Sequence, residues 1–474
     1  MKTSQFYIGG KWVAPSSQNR IAVINPATED SVAEIAAGNA ADVDRAVAAA
    51  LSAFPSYSRT SKAERVELLE AILAAYLKRT DDLVEAMTKE MGSPLAFSRS
   101  AQVWSGEAQL EAHIVALKAF EFEKPLGRSS VVYEPVGVCG LITPWNWPMN
   151  QVLCKVAPAL AAGCTMVLKP SEESPLSALI FAEIMHSAGV PAGVFNLVNG
   201  DGTTAGDALS RHVNVDMMSF TGSTRAGIMV AKAAADTVKR VAQELGGKSP
   251  NIILDDADLE AAVTGGVNAC FANSGQSCDA PTRMLVPRAM HGAALEIAAA
   301  AAKAHVTGNP LDEKTTLGPV VNARQFEKIQ ALIQTGIDEG ATIVAGGAGR
   351  PHGLNRGYYV KPTVFGDVTP DMTVAREEIF GPVLSIMPYD SEAEAIRIGN
   401  DTPYGLAAYI QSSDLARARA VGLEIRAGTI NLGYPDWDLQ APFGGFKQSG
   451  NGREYSSWGM HDFLEAKAII GPVV

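Results

Sequence analysis

Val136-Gly-Val-Cys-Gly-Leu-Ile-Thr-Pro144 opens the region whose rhythm decides the fold. Similar short apolar runs follow, with helical patterns between them. In order they are a helical stretch over 151–162, Thr165-Met-Val-Leu-Lys-Pro170, a helix over 176–188, Gly193-Val-Phe-Asn-Leu-Val198, a helix over 203–210, Val215-Asp-Met-Met-Ser-Phe-Thr-Gly222, a helix over 224–235, and Val238-Lys-Arg-Val-Ala-Gln-Glu-Leu245. Strand–helix alternation at this spacing predicts a parallel sheet with helices on both faces. A second series starts at Asn251-Ile-Ile-Leu-Asp-Asp256. It continues through a helix over 258–272 and the runs Ala341–Gly347, Thr363–Val368, Val383–Tyr389 and Gly428–Gly433. The fold class is therefore α/β, with two doubly wound parallel-sheet domains and a cleft between them.

Outside these series, Phe6-Tyr-Ile and Lys11-Trp-Val flank Gly9-Gly10, the pattern of a β-hairpin with a primed turn. Residues 41–54 and 61–90 carry helical periodicity. Two apolar, strand-like segments, Ser129–Pro135 and Phe463–Val474, belong to neither series. Exposed apolar strands invite pairing with another chain, so they predict a small β oligomerisation flap that pairs across subunits of a homodimer or homotetramer.

Composition narrows the function. The chain has 474 residues, 47% of them hydrophobic, enough for more than one core. Its net charge of −12 disfavours nucleic acid and anionic membrane as partners. The cysteines, at 139, 154, 164, 270 and 278, are odd in number and form no C-x-x-C pair, which argues against a disulfide scaffold or a metal site. The first residues lack the charged-then-apolar pattern of a signal segment, and no apolar stretch reaches the ~18 residues of a membrane span. The expectation is a cytoplasmic protein.

Four motifs carry chemistry. In Phe271-Ala-Asn-Ser-Gly-Gln-Ser-Cys278 a cysteine follows a glycine-containing turn, where a thiol can stand uncrowded as a nucleophile. In Val241-Ala-Gln-Glu244-Leu-Gly-Gly, Glu244 ends an apolar run, and burial there would raise its pKa toward general-base work. In Leu141-Ile-Thr-Pro-Trp145-Asn146-Trp-Pro-Met149, Asn146 can offer an amide N–H to a developing oxyanion. Leu168-Lys169-Pro-Ser-Glu172 and Phe220-Thr-Gly222-Ser-Thr-Arg-Ala-Gly227 suit a nucleotide, the second as a Gly-rich strand–helix turn facing a pyrophosphate. Each alone also fits a plainer role: a buried cysteine, a solvated glutamate, ordinary turns.

Together, and in this order, these motifs resemble the aldehyde dehydrogenase family. PWNWP, KPSE, FTGST, ELGGKSP, GQSC, EEIFGP and PFGGFKQSGNGRE match its signatures over nearly the whole chain. The resemblance implies oxidation of an aldehyde to a carboxylic acid with NAD, NADP being a second option, through a cysteine thiohemiacetal and thioester. It makes Cys278 the nucleophile, which should be partly thiolate and so have a positive or dipolar neighbour. It gives Asn146 and the Cys278 N–H the oxyanion, and Glu244 the hydrolytic water. Glu454 and Lys155 match positions tied to proton relay. Lys169, Ser171 and Glu172 match the adenosine end of the cofactor site, Phe220, Gly222 and Ser223 the pyrophosphate turn, and Trp145, Gly246, Glu378 and Phe380 the nicotinamide end.

The resemblance also implies an NAD-binding domain from 1–120 and 138–247, a catalytic domain over 248–443, and a flap from 121–137 and 455–474. Met149 and Trp437, the latter in the loop 433–440, could wall an aldehyde channel; Asp279 has no assigned role. Two rivals are a CoA-acylating semialdehyde dehydrogenase, which Glu244 argues against, and a retired enzyme kept as an NAD-binding structural protein, which the presence of Cys278, Glu244 and Asn146 argues against.

Overall fold

The computed structural model describes residues 1–471. The first series forms an eight-stranded sheet, in the order Gly450–Asn451, Arg240–Glu244, Met217–Thr221, Val138–Ile142, Thr165–Lys169, Phe195–Leu197, Phe6–Ile8, Lys11–Val13. The strands from Val138 to Glu244 run parallel. Val138–Ile142, Thr165–Lys169 and Met217–Thr221 are buried throughout, because helices cover both faces. Side chains alternate between two cores: Cys139, Leu141, Met166 and Leu168 face one, Val138, Ile142 and Val167 the other. The N-terminal hairpin extends the far edge, turning at Gly9 and Gly10 with φ of 59° and 76°, as a primed turn demands.

The chain runs from Val138–Ile142 outward to Phe195–Leu197, then crosses back to lay Met217–Thr221 on the other side. Strand order reverses between these two neighbours. A doubly wound sheet opens its ligand crevice there, beyond the strands' carboxyl ends. Thr143–Asn146 and Gly222–Ser223 are the residues that follow those ends.

The second sheet has seven strands, Thr342–Ala345, Thr363–Gly366, Val383–Tyr389, Arg283–Pro287, Pro250–Ile253, Ala407–Gln411 and Thr429–Leu432. The inner strands Arg283–Pro287 and Ala407–Gln411 escape the apolar-run reading. The first begins with Arg283, a charge at a fully buried position, which donates to the carbonyls of Lys248, Ile398 and Gly399. The stretch 61–90 is two helices, Lys62–Leu77 and Thr80–Met91, because apolar spacing continues through a break at Lys78-Arg79.

The flap strands do not wait for another subunit. Leu464–Ile470 pairs antiparallel with Ser129–Pro135 in the same chain, and Glu123–Leu126 completes a three-stranded sheet. The two segments thus pair with each other within one chain, where pairing across subunits was expected; Ser129–Pro135 is satisfied on both sides and Leu464–Ile470 keeps a free outer edge. Residues 472–474 of that segment lie outside the described residues. Among the described residues no helix is long and apolar enough to cross a membrane.

Candidate active site

The crevice at the strand reversal is a cavity of about 530 Å³. Its walls carry Trp145, Asn146, Lys169, Ser171, Glu172, Phe220, Gly222, Ser223, Gly246, Cys278, Glu378 and Phe380. Residues more than two hundred positions apart thus converge on one space.

Cys278 reaches it from the loop between the helix Leu259–Phe271 and the strand Arg283–Pro287. The loop is tightly built. Asn273, Ser274 and Gly275 all take positive φ (53°, 55° and 73°), and a side chain on Gly275 would run into the Gly381 carbonyl. Cys278 is half-buried, where the other four cysteines are fully buried. Burial of the thiol group, then the carboxylates of Asp279, Glu378 and Glu244, push it well above the usual thiol range. The neighbours that act on the thiol are three acids rather than the expected positive group.

Asn146 stands at the head of the helix Pro148–Ala162, which starts with proline at its first turn and ends at Gly163 in the left-handed conformation. Its side-chain Nδ2 donates to the Gln276 carbonyl at 2.9 Å. Its own carbonyl accepts from Gln102 Nε2 (3.0 Å) and Asn273 Nδ2 (2.8 Å). Gln276 is held in turn by the Val321 N–H and the Asn273 carbonyl. The amide is therefore fixed relative to the cysteine loop, with its second N–H available. Gln102, Asn273 and Gln276 have no role assigned from sequence; the last two stand inside the motif that ends at Cys278, while an isolated polar residue such as Gln102 gives no local signal.

Glu244 ends its strand as expected, and the Gly246-Gly247 turn lies so close that a side chain on Gly247 would strike the Cys278 carbonyl. The Glu244 carboxylate does not line the large cavity. It borders a separate space of about 10 Å³, room for one water, with Cys154, Ser219, Arg453 and Glu454. Neither Glu244 oxygen has a hydrogen-bond partner. Burial first, then Glu454, raise its pKa well above the carboxylate range. Lys155 Nζ bonds Glu454 Oε1 at 2.5 Å and Ser219 Oγ at 3.2 Å. Burial opposes the ammonium, but Glu454 and Cys154 raise its pKa on balance.

The cavity fits a dinucleotide. Ser223 caps the helix Thr224–Ala234, accepting from the Ala226 N–H at 3.3 Å, and places a helix N-terminus on the cavity wall. Gly222 and Gly246 keep that wall open: a side chain on either would strike Phe220 or the Glu378 carboxylate. Lys169 pairs with Glu172 at 3.0 Å. Glu378 accepts from the Gly247 N–H at 3.0 Å, and Gln325 Nε2 donates to the carbonyls of Ile379 and Phe380. Phe380, at φ 62°, meets Trp145 edge-on with ring centroids 5.5 Å apart.

Trp147 Nε1 donates to Ser277 Oγ at 2.9 Å, beside the cysteine. From it an aromatic train runs to exposed Trp437 at 5.6 Å, which meets exposed Trp104 at 6.3 Å and buried Tyr455 at 6.1 Å. Met149 is not part of this wall; it is wholly buried in the core of the first domain.

Residues 12–469 match the model of the aldehyde dehydrogenase family. A 3-succinoylsemialdehyde-pyridine dehydrogenase from a Pseudomonas species is 53% identical over 98% of both chains. A mutant of aldehyde dehydrogenase C from Pseudomonas syringae, solved with NAD+ and octanal, is 52% identical. It superimposes with a TM-score of 0.99, over 100% of this chain and 97% of that one. Betaine aldehyde dehydrogenase from Staphylococcus aureus, solved with NAD+, is 35% identical with a TM-score of 0.95, over 98% and 94%.

Proposed function

We propose, from the premise that this chain belongs to the aldehyde dehydrogenase family, that it oxidises an aldehyde to the carboxylic acid with NAD through a thioester on Cys278. The observation that carries this reading is the shared cavity of Cys278 and Asn146, with Asn146 pinned to Gln276 two residues before the thiol. When bound, oxidised nicotinamide supplies the two-electron acceptor and a positive ring. Lys169 and Glu172 would hold the adenosine ribose, Gly222 and Ser223 the pyrophosphate, and Glu378 and Phe380 the nicotinamide end, with Gly246 and Trp145 lining the junction.

Cys278 gives its proton to water in the cavity and, as the thiolate, attacks the aldehyde carbon, forming a thiohemiacetal oxyanion. The free Asn146 N–H and the Cys278 backbone N–H stabilise that charge. Oxidation leaves a thioester. Glu244, whose pKa burial and Glu454 raise above the ordinary carboxylate range, is in its ionised form the base that takes a proton from water, and the acid is released. Glu454 and Lys155 pass that proton outward.

The aromatic train beside Ser277 favours aldehydes with a long apolar chain or a flat ring over small polar ones. The named relatives, one acting on a pyridine semialdehyde and one solved with octanal, support that range. The free edge of Leu464–Ile470, with exposed Ile469 and Ile470, supports a dimer or dimer-built tetramer. Five free cysteines suit the reducing cytoplasm. The test is a panel of aldehydes assayed for NADH with wild type and Cys278→Ala. Octanal and pyridine or benzene aldehydes should lead in kcat/KM, and the variant should give no turnover. Turnover by Cys278→Ala, or none by wild type with any aldehyde, overturns the reading.

A further inference from the structure

Glu454 is held by two consecutive residues of one helix. Lys155 Nζ donates to its Oε1, and the Cys154 thiol lies 3.2 Å from its Oε2. The same thiol is 3.4 Å from the Gln151 carbonyl, one turn back along the helix. A thiol has one hydrogen, so it donates to one of these oxygens at a time. Cys154 also borders the one-water cavity in which the unpartnered Glu244 carboxylate sits.

We infer that Cys154 is a positioning residue for proton removal. Its S–H steadies Glu454 while Glu454 is charged, and turns to the Gln151 carbonyl when Glu454 takes the proton that leaves Glu244. The thiol itself never ionises in the cycle; only the direction of its hydrogen changes. No buried acceptor is stranded in either state, since Gln151 O also accepts within its helix. This inference rests on Glu244 acting as the base.

The charged and titratable groups facing this cluster come from every neighbouring element. Lys155 and Cys154 stand on the central helix, Glu244 on its strand, His113 on the helix behind Gly459, and Arg453, Tyr455 and Asp462 on the C-terminal segment. Of these, Cys154 and Lys155 are the ones that bond the Glu454 carboxylate. A hydrogen bond to a charged group favours that charged form, weakly when the donor is a thiol. Losing it leaves the Glu454 carboxylate with the Lys155 ammonium as its one donor, so steady turnover should need higher pH.

The experiment is stopped-flow and steady-state NADH production across pH by the intact enzyme. Variants are Cys154→Ala, Cys154→Val (no donor, but the volume filled) and Cys154→Ser (donor kept). In the Ala and Val variants the pH midpoint of steady-state turnover should move alkaline by about half a unit, with about threefold less turnover below the midpoint. The burst, which precedes hydrolysis, should keep its rate. Ser should restore the wild-type midpoint. In a Glu454→Gln background, Cys154→Ala should add no further shift. An unchanged midpoint in a folded Ala or Val variant, or failure of Ser to restore it, overturns the role of Cys154. Failure of the underlying reading looks different: no burst in wild type, or no effect of Glu244→Gln on hydrolysis.

Discussion

The Asn146 side-chain amide gives one hydrogen to the Gln276 carbonyl at 2.9 Å, which ties the candidate oxyanion donor to the loop that carries Cys278. Because Gln276 is also held by Val321 and Asn273, the donor's position is set before substrate arrives. Removing it should slow thioester formation and leave hydrolysis alone. For Asn146→Ala we expect a burst rate lower by about 10²–10³, the usual cost of one oxyanion donor. Gln276→Ala should lose less, because Asn146 keeps its backbone ties to Gln102 and Asn273. Single-turnover NADH traces check both; a normal burst in Asn146→Ala would remove it from the oxyanion site.

Glu244 should separate the two half-reactions in the opposite sense. Glu244→Gln keeps shape but cannot take a proton, so an NADH burst should precede a steady rate at least about tenfold lower. Since burial and Glu454 raise the carboxyl's pKa, the wild-type steady rate should climb as pH rises above the ordinary carboxylate range. The burst should not share that Glu244-dependent limb. A pH-independent wild-type hydrolysis step would contradict the assignment.

How far the sequence reached depends on what each residue's neighbours announce. Cys278, Asn146 and the glycines at 222 and 246 sit in turns whose local chemistry is unusual, so motif and geometry coincide there. Lys155 and Glu454 are nearly three hundred residues apart, and only the resemblance named them together; their ion pair depends on the return of Gly450–Asn451 to the edge of the first sheet. Gln102 and Gln325 carry no local signal, because a polar residue on a helix reads as solvated until its fold partner is known. The inner strand Arg283–Pro287 was illegible for a related reason. A buried arginine is tolerable only because three distant carbonyls receive it. The acidic surroundings of Cys278 likewise arise from tertiary placement of Glu378 and Glu244.

Glu90 offers a stability test away from the site. It is wholly buried and accepts from the N–H groups of Leu176 and Ser177 at the start of the helix Pro175–Ser187. Those bonds favour the charged carboxylate, but burial outweighs them and lifts its pKa from 4.5 to about 7. A carboxyl raised by folding contributes its full stabilisation below the unfolded value and loses it as pH rises through the folded one. Wild type should therefore lose up to roughly 3 kcal/mol from this group between the two values. Glu90→Gln should be less stable at acid pH, having one acceptor in place of two, and should lack this decline. Melting temperature against pH for both proteins checks it; parallel curves would contradict the assignment.

The choice of dinucleotide turns on Glu172. It stands three residues beyond Lys169, at the carboxyl end of the strand Thr165–Lys169, and binds its ammonium at 3.0 Å on the cavity wall. A carboxylate there can accept from both hydroxyls of an adenosine ribose. A 2′-phosphate would bring negative charge against it, which costs rather than gains. The lysine cannot relieve this freely, since it is already engaged by the same carboxylate. Arg225, Arg324 and Lys328 also border the cavity and are candidates for a phosphate partner. We therefore expect wild type to favour NAD over NADP in kcat/KM. Glu172→Gln should remove the repulsion and free Lys169 together, moving the ratio toward NADP by about tenfold, the scale of one partly screened charge contact. Arg225→Ala in that background should reverse part of the gain if the guanidinium reaches the phosphate. Steady-state constants for both cofactors on the three proteins decide it: a wild-type preference for NADP, or a ratio indifferent to Glu172→Gln, would move the ribose site elsewhere in the cavity.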